Sequence, residues 1–330
     1  MRNGLTSVRR PAGLALILGL ILLALLGACG ARPAPATQDA PLASVPLASG
    51  EKLSVVATTG IVGDVVGRVG GSSIELTTLT ALGADPHTYV ATPSDSAAVH
   101  DAHLLFSNGA GLEEGMSELV LDSSGRAAHI RLSDNLSLLS LGRRDEAQPA
   151  TPGTGSDADP HVWLDVRNVV AWTETVLQAL SALDPANAGL YQANAGTFRR
   201  DLEALDAWVV EQVAGIPPEK RRIVTNHETL GYFAHRYGFE LVGAVYPLSP
   251  SSEPSAQDLA GLEEAIRQYG LSVLFTEGTV SPVLADQVAR DTGVGLVPLY
   301  TESLGPAGSG AESYIAMMRY NVEAIVAALR

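Results

Sequence analysis

The tetrapeptide Ala-Asp-Pro-His occurs twice in this sequence, ending once at His87 and once at His161. Neutral imidazole is the commonest protein ligand for transition metals. A proline just ahead of the histidine fixes its own φ near −65° and restricts the residue before it. The histidine is then presented from a stiff backbone, as a metal ligand should be. One such tripeptide reads as a chance loop; two, each opening into an apolar segment, point to a shared role. Other candidates follow runs that read as strands. His227 follows RIVTN, Glu277 follows LSVLFT, and Glu302 follows GLVPLY, in YTESLGP. Ligands of open parallel sheets bind beyond the carboxyl ends of the strands. Three histidines and at least one acid therefore arrive at strand ends or loops, drawn from both halves of the chain.

Enzymatic motifs are absent. His227-Glu228 begins like the HExxH of zinc proteases, but position 231 is Gly231, so two histidines do not fall one helical turn apart. Glu228 is expected in the first turn of a helix, where it favours the dipole. There is no GxSxG, and GIVGDVVGRVGG lacks the GxGxxG spacing of a dinucleotide loop and reads as a loop and short helix. Asp165 reads as a helix cap that could also orient His161. His100, His103, His129 and His235 read as structural or surface residues. No catalytic residue is assigned.

The elements that must position these residues alternate. KLSVVATT, SIELTTLT, HLLFSNG and RAAHIRLSD read as strands in the first half. Thr92-Pro93-Ser94-Asp95 is a helix start with a capping box. Residues 142–160 hold no large apolar side chain and read as a long mobile loop leading into His161. Two helices follow, the second with a stripe of Tyr191, Phe198, Leu202, Leu205, Val209 and Val213. At the α-helical rise, 185–214 would span about 45 Å, the length of a spine. Strand and helix then alternate to the C-terminus, with Ser255 and Asp258 as one capping pair and Gly238 and Gly270 as stops. Alternation implies parallel sheets covered on both faces. The expected fold class is α/β, with two lobes of parallel sheet flanked by helices, joined by one long helix, and the site in the cleft between them.

The N-terminus is an address. Arg9-Arg10 precede an apolar run, Ala12–Ala28, which ends in small residues before Cys29, the only cysteine. This is the pattern of a secretory signal, and Leu26-Gly27-Ala28-Cys29 resembles the bacterial lipobox, whose cysteine is lipidated. The expected divisions are a signal peptide at 1–28, a Pro/Ala/Ser-rich flexible tether at 29–51, a first lobe at 52–184, a linking helix at 185–214 and a second lobe at 215–330. The protein would lie outside the cytoplasmic membrane, held to it by lipid. A lone cysteine excludes an intrachain disulfide. The formal net charge is −15, which argues against nucleic-acid binding.

Taken in order, GADPHTYVATPSD, DPHVWLD, TNHETLGYFAHRYG, EPSAQDLAGL, LFTEGTVSP and YTESLG resemble the metal-binding lipoproteins. These are the solute-binding components of ATP-binding-cassette importers for zinc and manganese. The resemblance runs over about residues 52–330. It implies two α/β lobes joined by a long helix, one metal between them, no enzymatic activity, and ligands at His87, His161, His227 and Glu302. The family usually has aspartate at that last position, so water or Glu277 remains an alternative fourth ligand. Manganese-type members carry a carboxylate where this chain has His227. Three imidazoles and one carboxylate suit tetrahedral Zn²⁺, whereas Mn²⁺ prefers an oxygen-rich set. The implied partners are a membrane permease with its ATPase, and the chain is expected to be a monomer. A zinc hydrolase with Glu302 as base, or an adhesin, are the readings from other classes. Some zinc-type relatives have a histidine-rich loop before the second ligand; 142–160 contains no histidine.

Overall fold

Two four-stranded parallel sheets carry the architecture. In the first, β1 (Leu53–Ala57), β2 (Ile74–Thr78), β3 (Leu104–Ser107) and β4 (Ala128–Arg131) are ordered β2-β1-β3-β4. In the second, β5 (Arg222–His227), β6 (Glu240–Tyr246), β7 (Val273–Glu277) and β8 (Gly295–Leu299) are ordered β6-β5-β7-β8. The two lobes thus repeat one topology. Parallel neighbours need crossover connections, and helices supply most of them. The computed structural model describes residues 42–116, 127–141, 158–246 and 254–330, with Met1. The signal segment, Cys29 and most of the 142–160 loop lie outside the described residues. Residues 42–330 form one compact unit.

Local chemistry explains where the helices begin and stop. Helix α1 (Gly60–Gly70) starts at Thr59, whose hydroxyl accepts from the Val62 N–H. It is a full helix with seven buried residues rather than the short one expected. Helix α2 (Pro93–Asp101) has the capping box of Thr92 and Asp95, with Pro93 at its first position. Helix α3 (Val166–Leu183) is capped by Asp165. A 3₁₀ turn at Pro185–Asn187 precedes α4 (Ala188–Ala214), so the spine is 27 residues, about 40 Å at 1.5 Å per residue. Short α5 (Gly231–Tyr237) ends on left-handed Gly238. Helix α6 (Ala256–Tyr269) has the Ser255–Asp258 capping box and stops at Gly270. Helices α7 (Val283–Thr292) and α8 (Tyr314–Leu329) complete the second lobe.

The spine is held by packing. Its stripe of Tyr191, Ala195, Phe198, Leu202, Leu205, Val209 and Val213 is buried, and each large side chain so buried contributes about 1.5–3 kcal/mol. The core cluster that contains them also holds Val62 and Trp172 of the first lobe and Phe233 and Tyr314 of the second. One continuous apolar core therefore ties both lobes to the spine. Residues 42–51, expected at the end of the tether, instead lie along this body. Leu42, Val45 and Leu47 pack on the core, and the Val45 N–H donates to the Leu183 carbonyl at 2.9 Å. No helix among the described residues is long and apolar enough to cross a membrane.

Candidate metal centre

His87 sits on the loop after β2. Its backbone N–H donates to Asp85 Oδ1 at 2.8 Å, and Asp85 Oδ2 accepts from the Thr88 hydroxyl at 3.2 Å. The aspartate of Asp-Pro-His thus folds the turn while the proline stiffens it. The second copy does the same and more. Asp159 Oδ1 accepts the His161 N–H at 2.9 Å and also meets its Nδ1 at 2.7 Å. His227 is the last residue of β5, and its Nδ1 lies 2.8 Å from Oε1 of Glu277, the last residue of β7. The Asn226 amide fixes Glu277 in place. Its Oδ1 accepts the Glu277 N–H at 3.1 Å, and its Nδ2 donates to the Glu277 carbonyl at 3.4 Å. The Thr301 hydroxyl donates to the other Glu277 oxygen. Glu302 lies on the loop after β8. There the Asn321 side chain pairs with both backbone groups of Tyr300, at 2.9 and 2.6 Å.

These four side chains converge. One ligand atom from each of His87, His161, His227 and Glu302 lies within 4.8 Å of the other three. His87 Nε2 is 3.2 Å from His161 Nε2. Glu302 Oε1 is 2.9 Å from His161 Nε2 and 3.7 Å from His87 Nε2. The side chains of His161, His227 and Glu302 are at most 1% exposed, whereas that of His87 is 14% exposed. Inside this cluster, His227 Nε2 and both Glu302 oxygens are buried without a hydrogen-bond partner, with Glu302 Oε1 in ion-pair range of His161. Leaving a buried polar group unpaired costs about 1–3 kcal/mol. A cation at the centre would satisfy all of these atoms.

Electrostatics agree with that arrangement. Burial opposes charge on His161, but Glu302 and Asp159 outweigh it and hold its pKa well above the usual range. Burial likewise opposes the Glu302 carboxylate, and His161 and His87 outweigh it, holding its pKa well below the usual range. The charged forms of the two groups thus favour each other. The carboxylates behind His161 and His227 hold each ring by Nδ1 and leave Nε2 facing the centre, a common support for metal-binding imidazoles.

Asp165 caps α3 as expected and lies 3.8 Å from Arg236 Nε; its alternative role, orienting His161, falls to Asp159, which is already bound to that turn. Glu277 faces Nδ1 of His227 from behind and is not among the converging atoms. Glu228 is not in the first turn of a helix, since α5 begins at Gly231; its N–H bonds to the Tyr246 carbonyl at 3.2 Å and prolongs the β5–β6 pairing. The remaining histidines stand apart. His100 is exposed beside Asp101. His103 Nδ1 accepts the Ser54 N–H at 3.0 Å. His129 contacts the Ser107 hydroxyl at 2.8 Å, and burial with nearby Arg131 lowers its pKa to about 4. His235 is exposed.

A family model described as ZnuA, zinc-uptake complex component A, periplasmic, matches residues 55–328. The chain belongs to this family of solute-binding proteins of metal importers. It is 33% identical over 312 residues to the manganese-binding lipoprotein MntA of Halalkalibacterium halodurans, covering 94% of this chain and 96% of that protein. Among solved structures, the periplasmic zinc-binding protein TroA of Treponema pallidum superimposes with a TM-score of 0.75 at 29% identity, covering 84% of this chain and 99% of TroA. A manganese-bound periplasmic metal-binding protein from Candidatus Liberibacter asiaticus gives 0.73 at 26% identity, covering 84% of this chain and 100% of that one. The two-lobe fold with its long helix is therefore the family's fold.

Proposed function

We propose that this family member captures Zn²⁺ outside the cytoplasmic membrane, holding it with His87, His161, His227 and Glu302, and delivers it to the permease of an ATP-binding-cassette importer with its ATPase. The observation that carries the reading is the convergence of three imidazoles and one carboxylate within 4.8 Å. That donor set suits tetrahedral Zn²⁺. Four protein ligands close the shell and leave no position for a reacting water, which favours capture over hydrolysis. A chain anchored by lipid on Cys29 would keep the captured ion near the permease, and the relatives named as lipoproteins support this. The second reading is Mn²⁺ as cargo, favoured by the manganese-binding name of the relative at 33% identity.

The experiment is competitive loading. Purified protein is equilibrated with equal Zn²⁺ and Mn²⁺, its metal content is measured, and its structure is determined at the zinc absorption edge. Zinc bound by the four residues supports the proposal. Preferential manganese retention replaces zinc by the second reading. Loss of membrane attachment in Cys29→Ala, with labelled fatty acid entering only the wild type, tests the anchor.

A further inference from the structure

His161 belongs by sequence to the first lobe, yet the segment that carries it is bonded to the second lobe as well. Ser140 and Ala158 form an antiparallel bridge, so Leu139 and Asp159 are the next facing pair. The Asp159 N–H donates to the Leu139 carbonyl at 2.8 Å. A hydrogen-bonded antiparallel pair normally exchanges two such bonds. Here the hydroxyl of Tyr232, from α5 of the second lobe, stands in for the second. It accepts the Leu139 N–H at 2.9 Å and donates to the Asp159 carbonyl at 3.1 Å. Tyr232 is 3% exposed. Burial, together with nearby Asp159, raises its pKa, so the phenol keeps the proton it donates.

The preceding residue adds a steric condition. A Cβ on Gly231 would lie 2.2 Å from Asp159 Oδ2. The Asp159 carboxylate therefore rests on a bare Cα, while its other oxygen holds both the N–H and Nδ1 of His161. Further along, Trp163 Nε1 donates to the Thr301 carbonyl at 2.8 Å, and the Tyr314 hydroxyl donates to the Trp163 carbonyl at 2.7 Å. The first lobe holds the segment too, through the Asp159–Leu139 bond and the bonds from Asn108 Nδ2 to the Pro160 carbonyl at 3.0 Å and from Asn168 Nδ2 to the Val162 carbonyl at 2.8 Å.

We propose that Gly231 and Tyr232 are positioning residues for His161, so that the second lobe sets where this imidazole points. The proposal rests on the reading of His161 as a metal ligand. It gives the glycine that breaks the HExxH pattern a task of its own.

Tyr232→Phe keeps the buried ring and removes both bonds; Gly231→Ala displaces the Asp159 carboxylate. Zn²⁺ affinity is measured by chelator competition, the site geometry by the visible spectrum of bound Co²⁺, and folding by the melting temperature without metal. Expected are a roughly 10–100-fold loss of Zn²⁺ affinity in Tyr232→Phe, the size typical for residues that orient a ligand, and an altered Co²⁺ spectrum. In a His161→Ala background the same change should cost less than about twofold, since the ligand it would orient is gone. Gly231→Ala should follow the same pattern, and it carries the test alone if Tyr232→Phe does not fold. Unchanged affinity and spectrum in both variants overturn the proposal. So does a loss that adds in full to that of His161→Ala, which would mark general loosening. A wild type that takes up no metal at all would overturn the metal-site reading itself, a result separable from either.

Discussion

At the scale of residues, the proposed site is four converging side chains and two carboxylates behind them. Strand ends and the repeated Asp-Pro-His made the histidines legible, because proline and strand-end position are local signals. The role of Asp159 is equally local: in both copies the aspartate accepts the N–H of the histidine two positions on, a turn that Asp-x-His spells out. The role of Glu277 depends on β7 lying beside β5, which no local pattern announces. Alanine at His87, His161 or His227 should each cost more than the roughly 100-fold upper range for supporting residues. Glu302→Ala should cost less, since water can fill its place; calorimetric titration ranks the four. Acidity should act through the same groups. Ligating imidazoles must be neutral, and the raised pKa of His161 means that protons compete with the metal from above the usual 6.5 downward. In the metal-free protein the signs differ. The raised His161 stabilises the fold below its unfolded pKa, and this contribution is lost as pH rises through the folded value. The depressed Glu302 stabilises it above the usual 4.5, and this is lost as pH falls through its folded value. The melting temperature without metal should therefore drop from about pH 6 toward alkaline pH, while the increment given by Zn²⁺ grows. An increment that shrinks over that range would contradict the coupling.

At the scale of elements, capping chemistry was the most legible feature. The boxes at Thr92–Asp95 and Ser255–Asp258 and the stops at Gly238 and Gly270 are all formed. Each is written within a few neighbouring residues and owes nothing to tertiary context. The start of α5 was not legible, because the chain after His227 first prolongs pairing with β6, a strand that comes later in sequence. The placement of residues 42–51 was hidden for a similar reason: their few apolar residues find a core built from elsewhere. The His87 loop makes an element-scale prediction. A Cβ on Gly115 would lie 2.6 Å from the Tyr89 carbonyl oxygen and 3.4 Å from that of His87. Both atoms are backbone, so they yield only if the loop shifts. Gly115→Ala should weaken Zn²⁺ binding several-fold, and the cost should vanish in a His87→Ala background. A loss that persists there would place the strain outside the ligand loop.

At the scale of the whole molecule, the two sheets and the spine were legible because alternation of strand and helix is a pattern of the entire chain. The bonds that run between the lobes were not, because they join residues far apart in sequence. His227 and Glu302 stand on the second sheet's strand ends, and the His161 segment is bonded to Tyr232, Thr301 and Tyr314. His87 approaches on a loop of the first lobe, touching the second through the bond from the Gly83 N–H to the Ser303 hydroxyl at 2.8 Å. A metal bound by all four would tie the His87 loop to the second lobe. It would also add RT ln(1 + [L]/Kd) to stability, about 2.7 kcal/mol at a hundredfold excess over Kd. At about 2 °C per kcal/mol for a chain of this size, Zn²⁺ should raise the melting temperature by about 5 °C. The rise should be accompanied by slower exchange of the Gly83 amide, which lies across the cleft from the second lobe's Ser303. His87→Ala should remove most of that slowing while leaving the exchange of the Leu139 amide near its metal-loaded value, because Tyr232 holds that amide independently of His87. If His87→Ala instead frees the Leu139 amide and leaves Gly83 protected, the ligand that links the lobes is His161 and not His87.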